Sequence, residues 1–141
     1  MKKIISILLF IFTSSIYSNE KKEVEDFLNK YFSSWSSGDI ATYASLFHPS
    51  ANIQFQDSAG NINNETLVQF IKNQKASIEQ SPEKMVEIPL SKDLKFKDKI
   101  CYAIVRWKLT TKSTNVTGVD HFVLSKVSGV WKIQFLYFYA E

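Results

Sequence analysis

Residues 100–111, Ile-Cys-Tyr-Ala-Ile-Val-Arg-Trp-Lys-Leu-Thr-Thr, carry the pattern that decides the fold. From Cys101 to Leu109 every second residue is apolar, whereas Arg106 and Lys108 occupy alternate positions. Successive side chains of a β-strand point to opposite faces of its sheet, so this alternation predicts a strand with one buried face. The predicted buried face consists of Cys101, Ala103, Val105, Trp107 and Leu109.

Further strands are predicted on both sides of this one. Residues 84–96 predict one long strand or two short ones, and Pro89 indicates an edge or a bulge because proline cannot donate a ladder hydrogen bond. Residues 118–127 and 131–139 predict the last two strands, joined by a turn at Ser128-Gly129. In the first of these stretches the residues that share an apolar face are Val86, Ile88 and Leu90.

The chain upstream predicts helices. Apolar residues recur at helical spacing between Lys21 and Ser34, and Ser36-Ser37-Gly38 predicts the end of that helix. Asp39 then predicts the cap of a second helix, Ile40–Phe47, before Pro49. Residues 51–56 predict a strand, the asparagines after Gly60 predict a turn, and Asn64 predicts the cap of a third helix at 65–80.

Three helices followed by several strands predict an α+β domain in which a curved antiparallel sheet is closed by three N-terminal helices. The last two strands carry apolar residues on both faces, with Phe122 opposite Val123 and Phe135 opposite Leu136. Only one face can meet the helices, so we expect the other to form a homodimer interface.

Residues 1–18 predict a signal peptide. Lys2 and Lys3 precede an apolar run that is too short to span a bilayer, and Ser18 marks the expected cleavage site. We therefore expect an exported protein, periplasmic or secreted, without a permanent membrane span. The leader contains two lysines and no acid, so its removal lowers the formal net charge from +3 to +1. A charge this small gives no indication of nucleic-acid binding.

Three stretches together resemble the nuclear transport factor 2-like superfamily: residues 31–39 (Tyr-Phe-Ser-Ser-Trp-Ser-Ser-Gly-Asp), 46–51 (Leu-Phe-His-Pro-Ser-Ala) and 120–133, which opens Asp-His-Phe. Within it, Phe-His-Pro-Ser-Ala and the Gly-x-Trp-Lys-Ile ending are similar to the branch named polyketide-cyclase-like or lumazine-binding. The resemblance spans residues 19–141. It implies a cone-shaped domain, often dimeric, with a pocket between sheet and helices. It implies no single activity, because this fold hosts enzymes and plain binding proteins.

The chain also resembles ketosteroid isomerase, an enzyme of this superfamily, at two positions. Tyr31 lies seven residues before a Gly-Asp pair, as that enzyme's oxyanion tyrosine does, and Asp120 opens an Asp-His-Phe at the place of its oxyanion acid. The resemblance implies that both donate hydrogen bonds to a ligand oxygen. Phe55 occupies the place of the general base and cannot move a proton. Asp57 shares the strand parity of Phe55 and is the candidate for a displaced base.

These residues also have purely structural interpretations. Tyr31 could be a core tyrosine whose hydroxyl finds one partner, and Asp120 could cap a strand or pair with Arg106. His48 before Pro49 favours capping or packing, and His121 is expected to point away from Asp120. Cys101 predicts a buried, inert thiol. The two histidines are far apart in sequence and no phosphate-binding loop occurs, so we expect neither a metal nor a cofactor.

The leading hypothesis is therefore a domain that binds a small hydrophobic or aromatic molecule in an apolar pocket. A lyase or isomerase acting beside a carbonyl through Tyr31 and Asp120 is the first alternative. A protein-interaction module using the outer sheet face is the second. The expected ligand-binding residues are Tyr31, Trp35, Phe55, Asp120, Phe122 and Phe135.

Overall fold

The computed structural model describes the backbone of residues 2–141 and the side chains of residues 17–141. Both helices and strands are present, as the sequence predicts. In chain order they are α1 (Lys2–Ser37), α2 (Ile40–Ser45), β1 (Phe47–Gln56), β2 (Ile62–Thr66), α3 (Leu67–Gln80), β3 (Val86–Lys97), β4 (Ile100–Thr110), β5 (Asn115–Val127) and β6 (Val130–Ala140).

The helix predicted at Lys21–Ser34 is part of α1, which continues to Ser37. The chain leaves it at Gly38, whose φ of 75° lies in the left-handed region that glycine adopts without steric cost. The leader predicted at residues 1–18 falls largely outside the residues whose side chains are described. Within the described residues, no helix is both long and apolar enough to cross a membrane. The apolar stripe of α1 is buried at Val24, Leu28, Tyr31, Phe32 and Trp35.

The second helix is capped as predicted but is shorter. The Asp39 side chain accepts a hydrogen bond from the Thr42 N–H at 3.0 Å. The helix ends at Ser45 rather than Phe47, and Phe47 already begins β1. Pro49 lies inside this strand, where the register with β6 shifts between Phe47 and Asn52. The missing N–H of proline is tolerated at such an irregularity, so Pro49 interrupts a strand and not a helix.

The turn predicted at Gly60 is present, but its predicted extension over the asparagine-rich segment that follows is wrong, because most of that segment is a strand. It begins β2, which pairs antiparallel with β1, and the Gln54 side-chain amide donates to the Asn64 side-chain oxygen at 2.8 Å. Thr66, not Asn64, caps α3 by accepting from the Gln69 N–H at 3.2 Å. The predicted grouping of three N-terminal helices is therefore incorrect, because β1 and β2 separate α2 from α3.

The six strands form one open, curved sheet in the order β2-β1-β6-β5-β4-β3. All neighbouring pairs are antiparallel except β1 and β6, which run parallel, so the predicted purely antiparallel sheet is corrected. Between β1 and β6 the chain forms α3 and four other strands, and such long connections are what parallel neighbours require. The edge or bulge predicted from Pro89 is confirmed twice: β3 is an edge strand, and its register shifts between Pro89 and Ser91.

The helices cover the inner face of this sheet. α1 packs against β3, and α3 packs against β1 and β2. The face predicted for β4 is buried at Cys101, Ala103, Val105 and Trp107. β4, which has the clearest alternating pattern in the sequence, thus contributes its predicted face to the core.

Candidate functional site

A partly open cavity of about 240 Å³ lies between the helices and the inner face of the sheet. All three helices and five of the six strands contribute to its walls, which are largely aromatic. Its size is at the small end for ligand pockets, which suits a molecule of one or two rings. The lining residues are Tyr31, Trp35, Tyr43, Gln56, Phe70, Gln74, Glu87, Trp107, Leu109, Asp120, Phe138, Tyr139 and Ala140.

Two buried tyrosines form a hydrogen-bonded pair in this wall. The Tyr43 hydroxyl donates to the Tyr31 hydroxyl at 3.0 Å. Burial is the main cause that raises the pKa of both hydroxyls well above the ordinary value. Both therefore keep their protons at neutral pH and stay hydrogen-bond donors. Tyr31 thus both finds a core partner and faces the cavity, so the two interpretations of this residue hold together.

Asp120 reaches the cavity from β5 and is only 4% exposed. Its Oδ1 accepts a hydrogen bond from Trp107 Nε1 at 2.7 Å. Burial raises the pKa of the Asp120 carboxyl from 3.8 to about 7, although hydrogen bonds from Trp107 and Tyr31 lower it. The pairing of Asp120 with Arg106 is wrong, because the Arg106 guanidinium binds the Glu141 carboxylate at 2.6 Å.

Glu87 is a second carboxyl in the same cavity, and sequence reasoning missed it. Burial is the main cause that raises its pKa well above the ordinary value, and the charge of Asp120 adds to the effect. The Ser36 hydroxyl donates to the Glu87 carbonyl at 3.0 Å and accepts from the Glu87 N–H at 2.8 Å. These two bonds replace the strand partner that edge strand β3 lacks here, and so fix the backbone that carries the carboxyl.

Glu87 was not predicted because the sequence does not show which face of β3 is buried. Val86, Ile88 and Leu90 share an apolar face, as predicted, but all three are exposed. Met85, Glu87 and Pro89 occupy the more buried positions instead. An edge strand with apolar residues on its outer face cannot be oriented by hydrophobicity alone.

Of the four aromatic residues predicted as pocket walls, the structure places only Trp35 in the cavity lining. Trp35 lines the cavity, and its Nε1 donates to the Gln74 side-chain oxygen at 2.8 Å. Phe122 is buried one layer behind it, with its ring 5.1 Å from the Tyr31 ring. Phe55 stacks on Phe138 at 5.7 Å, and it is Phe138 that reaches the cavity.

Phe135 lies on the other face of the sheet from the cavity. It pairs with Val123, whereas Asp120 pairs with Phe138 and Phe122 pairs with Leu136. The β5–β6 register shifts next to Val123, which inserts an extra residue and reverses the alternation of β6. A bulge of this kind cannot be seen in the apolar pattern, so the prediction placed Phe135 on the wrong side.

The other predicted acid–base residues lie outside the cavity lining. Asp57 sits in the β1–β2 turn, where its Oδ1 accepts from the N–H groups of Ala59 and Asn61, and these bonds lower its pKa. His48 contacts the Ser50 hydroxyl at 2.7 Å. His121 stacks on Tyr139 at 6.0 Å and pairs with Tyr137 on the outer face, as expected. Cys101 is fully buried, and burial raises the pKa of its thiol to about 11, so the thiol is inert.

The arrangement can bind a polar group of a ligand and could in principle move a proton. Tyr31 and the protonated form of Asp120 are donors for a ligand oxygen, while Glu87 is a carboxyl that could accept a proton. Asp57 is predicted as a displaced base, but it lies outside the cavity lining. Glu87 is the candidate for that role instead. In the described part of the chain, no group of three or more His, Cys, Asp or Glu residues could hold a metal ion.

Comparison with known proteins supports the fold and narrows the family. Residues 19–138 match the model of a family described as "Putative lumazine-binding". No curated protein matches the sequence. Solved structures of two nuclear transport factor 2-like proteins of unknown function are similar. That from Pseudomonas putida has 9% identity and a TM-score of 0.76, covering 88% of each chain. That from Shewanella baltica has 19% identity and a TM-score of 0.64, covering 89% of this chain and 96% of its own.

A third similar structure, from Novosphingobium aromaticivorans, is named "Putative Scytalone Dehydratase". It has 12% identity and a TM-score of 0.75, with 91% of this chain and 88% of its own covered. Sequence identities this low show that the fold is shared, and they do not show that the reaction is shared. The family match confirms the predicted resemblance to the lumazine-binding branch, and the solved structures confirm the nuclear transport factor 2-like fold.

Proposed function

We propose that this chain, which belongs to the family described as "Putative lumazine-binding", is an exported domain that binds a small hydrophobic or aromatic molecule in its cavity. The observation that carries the proposal is the cavity of about 240 Å³, whose aromatic walls surround a few convergent polar groups. Ligand sites have this composition, because apolar walls supply the affinity and the few polar groups fix the orientation. Export rests on the leader pattern of residues 1–18.

The lining favours a flat ligand that presents an oxygen atom. Trp35, Phe70 and Phe138 offer aromatic surfaces, and flat rings stack against such surfaces. Tyr31 and protonated Asp120 are donors at the buried end, where a carbonyl or hydroxyl oxygen would find partners. A molecule without any acceptor would leave these donors without a ligand bond and should bind more weakly.

Filling the cavity is expected to abolish binding. Leu109 lines the cavity and is half-buried, so Leu109→Trp places a larger ring in the space that the ligand needs. We expect the affinity for 2-naphthalenemethanol, measured by isothermal titration calorimetry, to fall by about tenfold or more. Leu90→Trp is the control, because Leu90 is 52% exposed on β3 and outside the cavity. Equal loss in both variants, or in neither, would contradict binding at this place.

The outer face of the sheet supports the proposal of a homodimer. Five large apolar side chains on β3 and β4 are between 37% and 52% exposed: Val86, Ile88, Leu90, Tyr102 and Ile104. An apolar patch of this kind is stabilised when a second copy covers it, and two-fold dimers use the same patch on both subunits.

Ile104→Asp should therefore shift the protein from dimer to monomer in sedimentation velocity measurements. A carboxylate at this position of the patch would have to be desolvated in the dimer. Val130→Asp introduces the same charge at the exposed first residue of β6 and is expected to leave the dimer intact. A wild-type protein that stays monomeric at high concentration would refute this assembly.

A lyase or isomerase acting beside a carbonyl is the second candidate. Glu87 favours it, because this carboxyl shares the cavity with Tyr31 and Asp120 and such chemistry needs a proton acceptor within reach. The test is a ketone deuterated beside its carbonyl. If the protein binds this ketone without releasing deuterium, the enzymatic candidate fails and the binding proposal stands.

A further inference from the structure

The described lining of the cavity has acidic side chains without basic ones. Glu87 from β3 and Asp120 from β5 both line it, and no lysine, arginine or histidine is among the lining residues that the structure describes. Of the remaining titratable lining residues, Tyr31 and Tyr43 are hydrogen-bonded to each other, and the Tyr139 ring stacks on His121 on the outer face of the sheet. A positive group stabilises a carboxylate inside an apolar enclosure, so this site can accept the other half of a charge pair from a ligand.

The two acids differ in how well the protein satisfies them. Asp120 accepts the indole N–H of Trp107 and interacts with the Tyr31 hydroxyl. No hydrogen bond or ion pair to the Glu87 carboxyl occurs within the described residues; its recorded bonds, both to Ser36, are made by the backbone. Since Ser36 holds that backbone in place, the carboxyl is a positioned acceptor that a ligand in the cavity can reach.

The walls around this acceptor suit a positive charge as well as a ring. The faces of tryptophan, tyrosine and phenylalanine carry negative electrostatic potential and attract ammonium groups within about 6 Å. Trp35, Tyr43, Phe70 and Trp107 surround the same space as Glu87. Carboxylate and aromatic rings together form the type of enclosure that holds protonated amines. A bare metal ion fits less well, because hard cations need about six oxygen ligands and the cavity offers two carboxyls.

We propose that the physiological ligand is an organic cation: a protonated amine or amidinium carried on a small, flat apolar body. Its positive group lies against the Glu87 carboxylate, and its body lies among the aromatic side chains toward Tyr31 and Asp120. This inference rests on the proposed binding function and specifies the chemical class of the ligand.

Two probes of nearly equal shape separate charge from size. 2-Naphthylmethylamine is protonated at about pH 8, whereas 2-naphthalenemethanol is its neutral counterpart. We expect the wild-type protein to bind the amine about tenfold more tightly than the alcohol in isothermal titration calorimetry. The preference should shrink as the pH is lowered toward about 5, because protonation removes the negative charge of the carboxyls.

The Glu87→Gln variant keeps the shape of the side chain and removes its charge. We expect it to bind both probes with nearly equal affinity, while Glu79→Gln, an exposed substitution on α3, keeps the wild-type preference. Circular dichroism of the three proteins confirms that they are folded before affinities are compared. Loss of the preference in Glu87→Gln alone supports the inference.

Three results would contradict the inference, and each has a different consequence for the proposed binding function. If the alcohol binds as tightly as the amine to the wild type, the cationic ligand is refuted and the binding function stands. If Glu87→Gln retains the preference for the amine, Glu87 is not the partner of the cation and the inference fails. If neither probe binds at millimolar concentration, both the inference and the proposed function are contradicted.

Discussion

The Asp120→Asn variant is expected to become progressively more stable than the wild type as the pH rises from about 4 to about 8. Burial raises the pKa of Asp120 from 3.8 to about 7, so in this range the folded protein holds a proton that the unfolded chain has released. Stability from this group is therefore complete below about pH 4 and is lost as the pH rises through about 7. The change should be on the order of 4 kcal/mol, since one pKa unit corresponds to about 1.4 kcal/mol.

Asparagine suits this test because its side-chain oxygen can still accept the indole N–H of Trp107, while it has no charge to lose. Urea unfolding followed by circular dichroism at a series of pH values measures the difference in the free energy of unfolding between the two proteins. Taking the difference cancels the exposed carboxyls, which both proteins share. Asp93→Asn, at an exposed residue of β3, is the matched control and should show no such trend. A flat difference for Asp120→Asn would mean that the carboxyl is solvated and outside the cavity wall.

Replacing Gly118 by alanine is expected to lower the free energy of unfolding by roughly 3 kcal/mol. Gly118 pairs with Trp107 across β4 and β5, and a Cβ atom there would lie 2.1 Å from the Trp107 ring and 2.5 Å from the Tyr139 carbonyl oxygen. The carbonyl belongs to the β6 backbone and cannot move aside easily, so the indole must shift. That shift would also break the Trp107–Asp120 hydrogen bond and distort the cavity.

Gly38→Ala separates this steric effect from the effect of the glycine backbone. Gly38 has a φ of 75°, and a Cβ there would meet only ordinary contacts, the nearest at 3.8 Å. Its replacement is expected to cost about 1 kcal/mol through the left-handed conformation alone. Chemical denaturation compares the two variants directly. If Gly118→Ala is no more destabilising than Gly38→Ala, the Trp107 ring does not lie over Gly118 as described.

The parts of the fold that sequence could predict are those set by local patterns. The stripe of α1, the Asp39 cap, the edge position of Pro89 and the buried face of β4 each follow from residues close together in the chain. The parallel pairing of β1 with β6 does not, because it depends on how distant segments meet. The same holds for β2, whose asparagines are typical of turns but here bond to β1 through side chains such as Asn64.

The residues of the candidate site likewise divide into those that the sequence predicts and those that it does not. The resemblance to ketosteroid isomerase implies that Asp120 faces the pocket, and the structure places it in the cavity lining. Tyr43 was missed because its role depends on a contact with Tyr31 from another helix. Glu87 was missed because the apolar residues beside it face outward. The alternation of apolar residues does not show which face of a strand is buried when an edge strand has apolar residues on its outer face, or when a bulge interrupts the strand.

The central claim is that the cavity holds a small molecule, and the three tryptophans provide the most direct measurement. Trp35 and Trp107 line the cavity, while the Trp131 indole donates to Glu23 outside it. In an NMR titration with 2-naphthalenemethanol, the indole N–H signals of Trp35 and Trp107 should shift until saturation while that of Trp131 stays in place. No shift at any of the three, or an equal shift at all three, would contradict binding in the cavity.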